Sequence, residues 1–174
     1  ATVDGLQFAL TQRLGDSLRL EPTFGVYGYV ARSIDGPLAD VRVRRALAMS
    51  IDRGALVRRE FGIPAMAPVV GLLPPTVAAG AADPDWSNWT LDARREEAQR
   101  LMEEAGYGLS RPLEIAVAAP DGAVHRRILE RVASDWALIG IRARISARDP
   151  AGHRRAVERG NFELAVVERQ APAA

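Results

Sequence analysis

The sequence predicts an α/β domain, and three observations support this fold class. Segments with strand and helix patterns alternate as β-α-β-α-β after residue 112, which is typical of parallel strands joined by right-handed crossovers. The 174 residues fit one domain of ordinary size, with 48% hydrophobic and 26% charged residues. No apolar run approaches the roughly 20 residues of a membrane span. Residues 1–174 are therefore interpreted as a single domain.

Before residue 40 the sequence predicts one helix and one strand. Leucines at positions i, i+4 and i+8 predict a short helix over residues 9–20. The sequence FGVYGYVAR, residues 24–32, is rich in aromatic and β-branched residues and predicts a strand. Its two glycines weaken the strand pattern without removing it.

The stretch DVRVRRALAMSIDRGALV, residues 40–57, predicts two successive helices. Asp40 can cap the first helix, which runs to about Ser50. Asp52 offers a second N-cap, so the second helix starts at a new angle and ends near Phe61. The arginines of the first helix surround its apolar stripe and are expected to form surface ion pairs.

Residues 62–89 show no clear period and contain five prolines, which predicts a long loop that partly packs on the domain. A well-defined helix follows over residues 90–105, because Thr90 can cap it and Gly106 can end it. Its inner face consists of four residues at helical spacing: Ala98, Leu101, Met102 and Ala105.

In the last third of the chain, predicted strands and helices alternate. Strands are predicted over residues 113–118, 141–146 and 162–167, because apolar and β-branched residues dominate each run. Helices are predicted between them, the first capped by Asp121 and the second short and near 153–159. The three strands are expected to pair in parallel.

The composition excludes several classes of function. All 23 basic residues are arginine and 22 residues are acidic, so the net charge of +1 lacks the basic excess of nucleic-acid-binding proteins. Cysteine is absent, which excludes disulfides, thiolate nucleophiles and Cys-ligated zinc. No nucleic-acid partner is therefore expected.

Catalytic and metal-binding motifs are not visible in the sequence. His125 and His153 do not belong to a ligand set with metal-binding spacing, so both are expected to be exposed residues near helix starts. Neither a G-x-S-x-G motif nor a phosphate-binding glycine loop occurs. We therefore expect no catalytic residue, no metal and no cofactor. An enzyme such as a small hydrolase has no support beyond the α/β pattern.

One segment resembles a known family. PLADVRVRRALAMSIDRGALV, residues 37–57, is similar to a segment of the extracellular solute-binding proteins of ABC transporters, in their oligopeptide- and dipeptide-binding group. Further similar motifs follow in the family's order along nearly the whole chain. They are GLLPP (71–75), EEAQRLMEEAGY (96–107), LEIAV (113–117), DWALIGIRARI (135–145) and ERGNFELAVV (158–167).

The resemblance implies one lobe of a periplasmic-binding-protein-like fold of type II, with a mixed sheet flanked by helices. In that family two α/β lobes close on a ligand. Residues 1–174 are expected to form part of the C-terminal lobe, as an excised domain or a truncated product. The chain starts without methionine, so we expect its first residue not to be the start of the gene.

The function that the resemblance implies is binding of a peptide, or of another small solute, for an ABC importer. The expected partners are that solute and an ABC permease, and the expected location is extracellular or periplasmic. A cell-surface lipoprotein would reach the membrane only through a lipid anchor outside this sequence. The alternative is the ligand-sensing domain of a cytoplasmic transcription regulator with the same fold.

Aromatic and charged residues near the first strand and the long loop are candidates for ligand contact. Strand tyrosines are more often packed, and the tryptophans can instead attach the loop to the next helix. The family often has asparagine where Arg32 stands, and Gly-Trp where Glu168 and Arg169 stand. The candidate ligand-binding residues are Tyr27, Tyr29, Arg32, Trp86 and Trp89.

Overall fold

The computed structural model of the protein describes residues 25–61, 66–70 and 83–170. The helix predicted over residues 9–20, the GLLPP motif and most of the predicted loop lie outside this part of the chain. The described elements are β1 (Gly25–Ala31), a 3₁₀ turn (Pro37–Ala39), α1 (Val41–Ser50), α2 (Arg53–Ala55, continued by a π-helical turn Leu56–Phe61), α3 (Leu91–Glu104), β2 (Leu113–Pro120), α4 (Ala123–Ala137), β3 (Ile141–Arg148), α5 (Pro150–Glu158) and β4 (Leu164–Gln170).

Short polar side chains fix the starts of four helices. The Asp40 carboxylate accepts a hydrogen bond from the backbone N–H of Arg42 at 2.8 Å, and Asp52 and Thr90 cap α2 and α3 in the same manner. Asp149 caps α5, and Pro150 at the first helical position starts this helix earlier than the sequence pattern indicated. Helix α4 differs from the prediction, because Gly122 rather than Asp121 is its N-cap residue.

The four described strands form one mixed sheet in the order β1-β4-β2-β3. Strand β2 pairs in parallel with β3 and with β4, as the sequence predicted. Strand β1 pairs antiparallel with β4 along its whole length, from Gly25 opposite Gln170 to Ala31 opposite Leu164. Because it pairs with β1, strand β4 continues to Gln170, beyond the predicted end at residue 167. The α/β class with a mixed sheet flanked by helices is therefore confirmed.

The main core lies between the sheet and the helices α1, α3 and α4. Trp136 of α4 is 1% exposed, and its indole N–H donates to the carbonyl of Leu47 in α1 at 3.1 Å. Gly140 closes α4 with a φ of +81°, and a Cβ there would lie 2.3 Å from the backbone of Gly108. The largest fully buried side chains include Trp136, Met49, Met102, Ile115, Ile128 and Leu129.

A buried carboxylate joins three helices behind this core. Asp135 of α4 is 2% exposed and accepts a hydrogen bond from Arg95 of α3 at 2.7 Å. Its second oxygen accepts the backbone N–H of Asp52, at the start of α2, at 3.0 Å. The charge of Asp135 is thus matched by hydrogen bonds, as burial of a carboxylate requires.

Two arginines of α1 form ion pairs, as the sequence predicted, and a third contacts backbone carbonyls instead. Arg42 pairs with Asp40 at 2.6 Å, and Arg45 pairs with Asp85 at 2.7 Å. Arg44 donates to the carbonyls of Leu38 and Ala39. In the described part of the chain, no helix is long and apolar enough to cross a bilayer.

Candidate functional site

The strand order creates a topological switch point between β2 and β4. The chain leaves β2 towards β3 on one side and returns from β3 to β4 on the other side. Open α/β sheets bind ligands outside the carboxyl ends of their strands at such a point. We name this region the carboxyl edge. It comprises the residues at the ends of β2 and β4 and at the start of β1: Pro120, Asp121, Val167, Glu168, Val26 and Tyr27.

Three polar side chains from different elements meet at the carboxyl edge. Tyr27 and Glu168 stand directly opposite each other in the β1–β4 pair, so their side chains share one face of the sheet. His125, the third residue of α4, is stacked on the Tyr27 ring with centroids 5.8 Å apart. Its Nδ1 lies 3.2 Å from the Tyr27 hydroxyl, and its Nε2 lies 3.5 Å from Glu168 Oε1. Phe61 packs edge-on against Tyr27 at 5.0 Å.

The carboxylate of this cluster is only partly satisfied. Glu168 Oε1 is buried and has no hydrogen-bond donor with good geometry among the described residues, although its side chain is 24% exposed. The Tyr27 hydroxyl can donate to Nδ1 of His125 in the tautomer that carries its proton on Nε2. The Nε2–H group then faces Glu168 Oε1 at 3.5 Å.

Tyr29 lies two residues after Tyr27 on β1, so both side chains are on the same face of the sheet. The two rings are 6.4 Å apart, and Tyr29 packs edge-on against Trp136 at 5.4 Å. Burial raises the pKa of the Tyr29 hydroxyl well above its ordinary value, and the nearby Arg53 offsets only part of this rise. The hydroxyl is therefore neutral, and it is buried without a hydrogen-bond partner among the described residues.

Trp86 lies in the turn before α3 and is 4% exposed. The guanidinium groups of Arg53 and Arg94 lie over its ring at 5.6 Å and 5.8 Å from the centroid. Burial, followed by repulsion from Arg94, lowers the pKa of Arg53 to about 10. Trp86 thus attaches the turn to α2 and α3, which matches the structural interpretation offered for it above. Trp89 is exposed and donates its backbone N–H to the Trp86 carbonyl.

Arg32 lies at the opposite end of the sheet from the carboxyl edge. Its backbone N–H donates to the carbonyl of Glu163 at 2.8 Å, and its guanidinium pairs with Asp35 at 3.2 Å. It lines a surface cavity of about 330 Å³ together with Phe162 and Glu163. The structure therefore brings Tyr27 and Tyr29 together, links Tyr29 to Trp86 through Arg53, and separates Arg32 from all of them.

The described residues contain no group of three or more His, Asp or Glu side chains arranged to hold a metal ion. His153 was expected to be an exposed residue near a helix start, and this expectation was wrong. It is buried, and its Nε2 lies 2.8 Å from the carbonyl oxygen of Val166. The chemistry that the carboxyl edge offers is hydrogen bonding and charge pairing.

A comparison with protein families identifies the group that shares this sequence. The family described as bacterial extracellular solute-binding proteins, family 5 middle, matches residues 5–173. The chain belongs to this family. The resemblance stated from residues 37–57 and the later motifs is thereby confirmed.

Several curated relatives of this family 5 chain are peptide-binding proteins by name, and another is a probable deoxycholate-binding protein by name. The periplasmic oligopeptide-binding protein OppA of Escherichia coli is 32% identical over 128 residues, covering 73% of this chain and 23% of the relative. The periplasmic murein peptide-binding protein MppA of Escherichia coli is 28% identical over 145 residues, covering 82% and 27%. The chain thus spans about a quarter of the length of these relatives.

Solved structures of the family have the same fold. Haemophilus influenzae OppA, in complex with RPPGFSPFR, matches with a TM-score of 0.86 and 22% identity over 98% of this chain and 34% of that chain. Burkholderia pseudomallei OppA matches with a TM-score of 0.84 and 26% identity over 95% and 33%. The periplasmic-binding-protein-like fold is therefore confirmed for this family 5 chain.

Sequence reasoning missed the place of His125. It was expected to be an exposed residue at a helix start, but it is 4% exposed and contacts Tyr27 and Glu168. The expectation was wrong because Phe61, Tyr27 and β4 cover the first turn of α4. The sequence contained one signal: a histidine in the first turn of a helix that follows a β2-like strand lies at the carboxyl end of a parallel sheet. Glu168 had a second signal, since it stands where the family often has glycine.

Proposed function

We propose that this chain is one lobe of the ligand clamp in a solute-binding protein that delivers peptides, or other small solutes, to an ABC importer. The observation that carries the proposal is membership of the family 5 solute-binding proteins over residues 5–173. The names of several relatives, which refer to oligopeptides, dipeptides and murein peptides, support a peptide as the solute, whereas one relative is named for deoxycholate.

In this proposal the lobe forms one wall of the clamp. In a hinged receptor two rigid lobes close over the ligand, and each lobe contributes one face of the cleft. The carboxyl edge is the face of this lobe that general rules for open sheets favour. An extended peptide there would be held mainly through its backbone, with side-chain pockets supplying selectivity.

We assign the ligand wall to Tyr27, His125 and Glu168, with Tyr29 supporting Tyr27 from behind. These residues lie at the switch point. Tyr27 and Glu168 are partly exposed, and the buried His125 contacts both of them. Arg32, Trp86 and Trp89 stay predictions. A solute that contacted them would have to reach the opposite end of the sheet or the turn before α3.

The proposal also covers the location of the protein, its permease partner and its non-catalytic role. Several relatives are periplasmic by name, which supports an extracellular or periplasmic location, and an importer of this class implies a permease partner. A cell-surface lipoprotein form is part of the proposal. The relatives are binding proteins, which supports a role without catalysis. Nothing in these comparisons favours the cytoplasmic regulator alternative.

Calorimetry tests the proposal. The longest form of the protein that contains this chain and a second lobe is titrated with tri- to pentapeptides, and free amino acids serve as the control. We expect at least one peptide class to bind with a Kd of about 10 μM or tighter, because closure buries the ligand on both sides. The 174-residue chain alone should bind the same peptide very weakly, since half of the cleft is absent. A folded two-lobe protein that binds no peptide would overturn the proposal.

A further inference from the structure

We infer that His153 is a positioning residue for the proposed ligand wall, because its imidazole holds the carboxyl end of β4 away from β2. The inference rests on the proposed function, since it concerns how β2 and β4 meet at the carboxyl edge. His153 lies on α5 and is 8% exposed, and its Nε2 lies 2.8 Å from the carbonyl oxygen of Val166. A carbonyl oxygen only accepts hydrogen bonds, so Nε2 is the donor.

Strands β2 and β4 stay together over a short distance. Among the described residues they pair at Val117 opposite Leu164 and at Ala118 opposite Ala165. Strand β2 nevertheless remains paired with β3 as far as residue 120, and β4 remains paired with β1 as far as residue 170. The two halves of the sheet therefore separate towards the carboxyl edge, which leaves a crevice between β2 and β4 next to the ligand wall.

The hydrogen bonds of β2 show which of its N–H groups face β4. The N–H groups of Leu113 and Asp121 donate to carbonyl oxygens at or next to the two ends of β3, so odd-numbered residues face β3. Successive residues of a strand point to opposite sides. The N–H of Ala116 accordingly donates towards β4, to the side chain of Glu163 at 2.6 Å. Even-numbered residues of β2 therefore face β4.

Proline at position 120 interrupts this pattern at the crevice. Extending the register of Ala118 and Ala165 by one residue makes the carbonyl of Val166 the acceptor for the N–H of residue 120. Pro120 has no N–H, so β2 offers no donor at this point. The imidazole of His153 supplies the missing hydrogen bond from α5, and Val166 keeps a partner without direct pairing to β2.

This substitute hydrogen bond affects the ligand wall through the backbone of β4. Directly paired strands lie about 4.7–4.9 Å apart, whereas a side chain that replaces the backbone donor lets the two strands stand further apart. Val166 lies opposite Tyr29, and Glu168, two residues later, lies opposite Tyr27. The hydrogen bond from His153 thus fixes the part of β4 that carries Glu168 and pairs with both tyrosines.

Two replacements of His153 test its role as a donor. The amide nitrogen of glutamine can take the place of Nε2, whereas leucine has a similar size and no donor. The two-lobe protein is titrated in the calorimeter with the tri- to pentapeptide that the wild-type protein binds tightest. We expect His153→Gln to change the Kd by about threefold or less and His153→Leu to raise it by about fivefold or more, as for residues that act on a site without touching its ligand. Arg154→Gln, an exposed change on the same helix, should leave the Kd unchanged.

A second substitution separates positioning from general stability. Pro120→Ala in the His153→Leu protein restores a backbone N–H that can donate to Val166, so β2 and β4 can pair directly. The urea midpoint of unfolding, lowered by His153→Leu, should therefore recover. The Kd should stay about fivefold or more above that of the wild type, because direct pairing narrows the crevice.

Three results overturn this inference while the proposed function stands. They are wild-type affinity in His153→Leu, an equal loss of affinity in His153→Gln and His153→Leu, and recovery of both the midpoint and the affinity in the double variant. If His153→Leu does not fold, the double variant decides, since wild-type affinity there contradicts a positioning role and weakened affinity supports it. Failure of the wild-type protein to bind any of the peptides overturns the proposed function and this inference with it.

Discussion

Two acidic residues of this protein, Asp135 and Glu168, differ in how fully their carboxylates are hydrogen-bonded. Asp135 is 2% exposed and accepts hydrogen bonds from Arg95 and from the backbone N–H of Asp52. Glu168 has one buried oxygen without a comparable donor in the described residues. The first arrangement stabilises the fold, whereas the second leaves a buried acceptor without a hydrogen bond.

The matched carboxylate leads to a prediction about stability. Asp135→Ala leaves Arg95 and Arg131 beside a pocket without a countercharge, so the free energy of unfolding should fall by about 3 kcal/mol or more. Glu97→Gln removes a surface pair with Arg100 and should cost less than about 1 kcal/mol. Urea denaturation measures both values. Equal effects of the two substitutions would contradict the role assigned to Asp135.

At the scale of elements, local signals account for the helices and non-local contacts account for what the sequence did not predict. Caps at Asp40, Asp52 and Thr90 and the apolar stripes were visible, because they depend on residues within one turn. The antiparallel pairing of β1 with β4 was not visible, since its partners are about 140 residues apart and no local pattern selects between them. The sequence identified Tyr27 as a candidate because it lies on a predicted strand. It could not identify the residues that Tyr27 contacts, because they come from distant parts of the chain.

Helix α1 should show a pH dependence that originates at its N-cap. The side chain of Arg42, followed by its backbone N–H, hydrogen bonds the ionised carboxylate and holds the pKa of Asp40 below its ordinary value. The folded state therefore binds this proton more weakly than the unfolded state. The stabilisation is complete at neutral pH and is lost as the pH falls through the folded pKa, below about pH 4.

Asp40→Asn tests this dependence, because asparagine keeps a capping oxygen and removes the charge. The free energy of unfolding, measured in urea at pH 7 and pH 3, should fall less in the variant than in the wild type. An identical fall in both proteins would show that Asp40 contributes nothing to the acid sensitivity of the fold.

The packing of α1 against the core supports a second prediction at this scale. Leu47 is 5% exposed within the main core cluster, so Leu47→Ala should lower the free energy of unfolding by about 2–5 kcal/mol. Val41 lies on the same helix but is 63% exposed. Val41→Ala should therefore change the free energy of unfolding by less than about 0.5 kcal/mol. Thermal melting of both variants gives the comparison. An unchanged Tm for Leu47→Ala would place α1 outside the core.

At the scale of the whole molecule, the chain corresponds to about a third of the length of the solved relatives that share its fold. The sequence motifs predicted this fold because they follow the order of the family from residue 37 to residue 167. They did not predict the proposed ligand wall, since it combines residues of β1, α4 and β4, which only the sheet topology brings together.

Amide hydrogen exchange of the two-lobe protein, with and without a saturating peptide, tests most directly whether the carboxyl edge is the ligand wall. The account predicts slower exchange on binding in segments 120–126 and 166–170, because closure excludes water from this edge. Segments 32–38 and 158–163, at the opposite end of the sheet, should exchange as before. Protection at that opposite end, with no change at the carboxyl edge, would contradict the account.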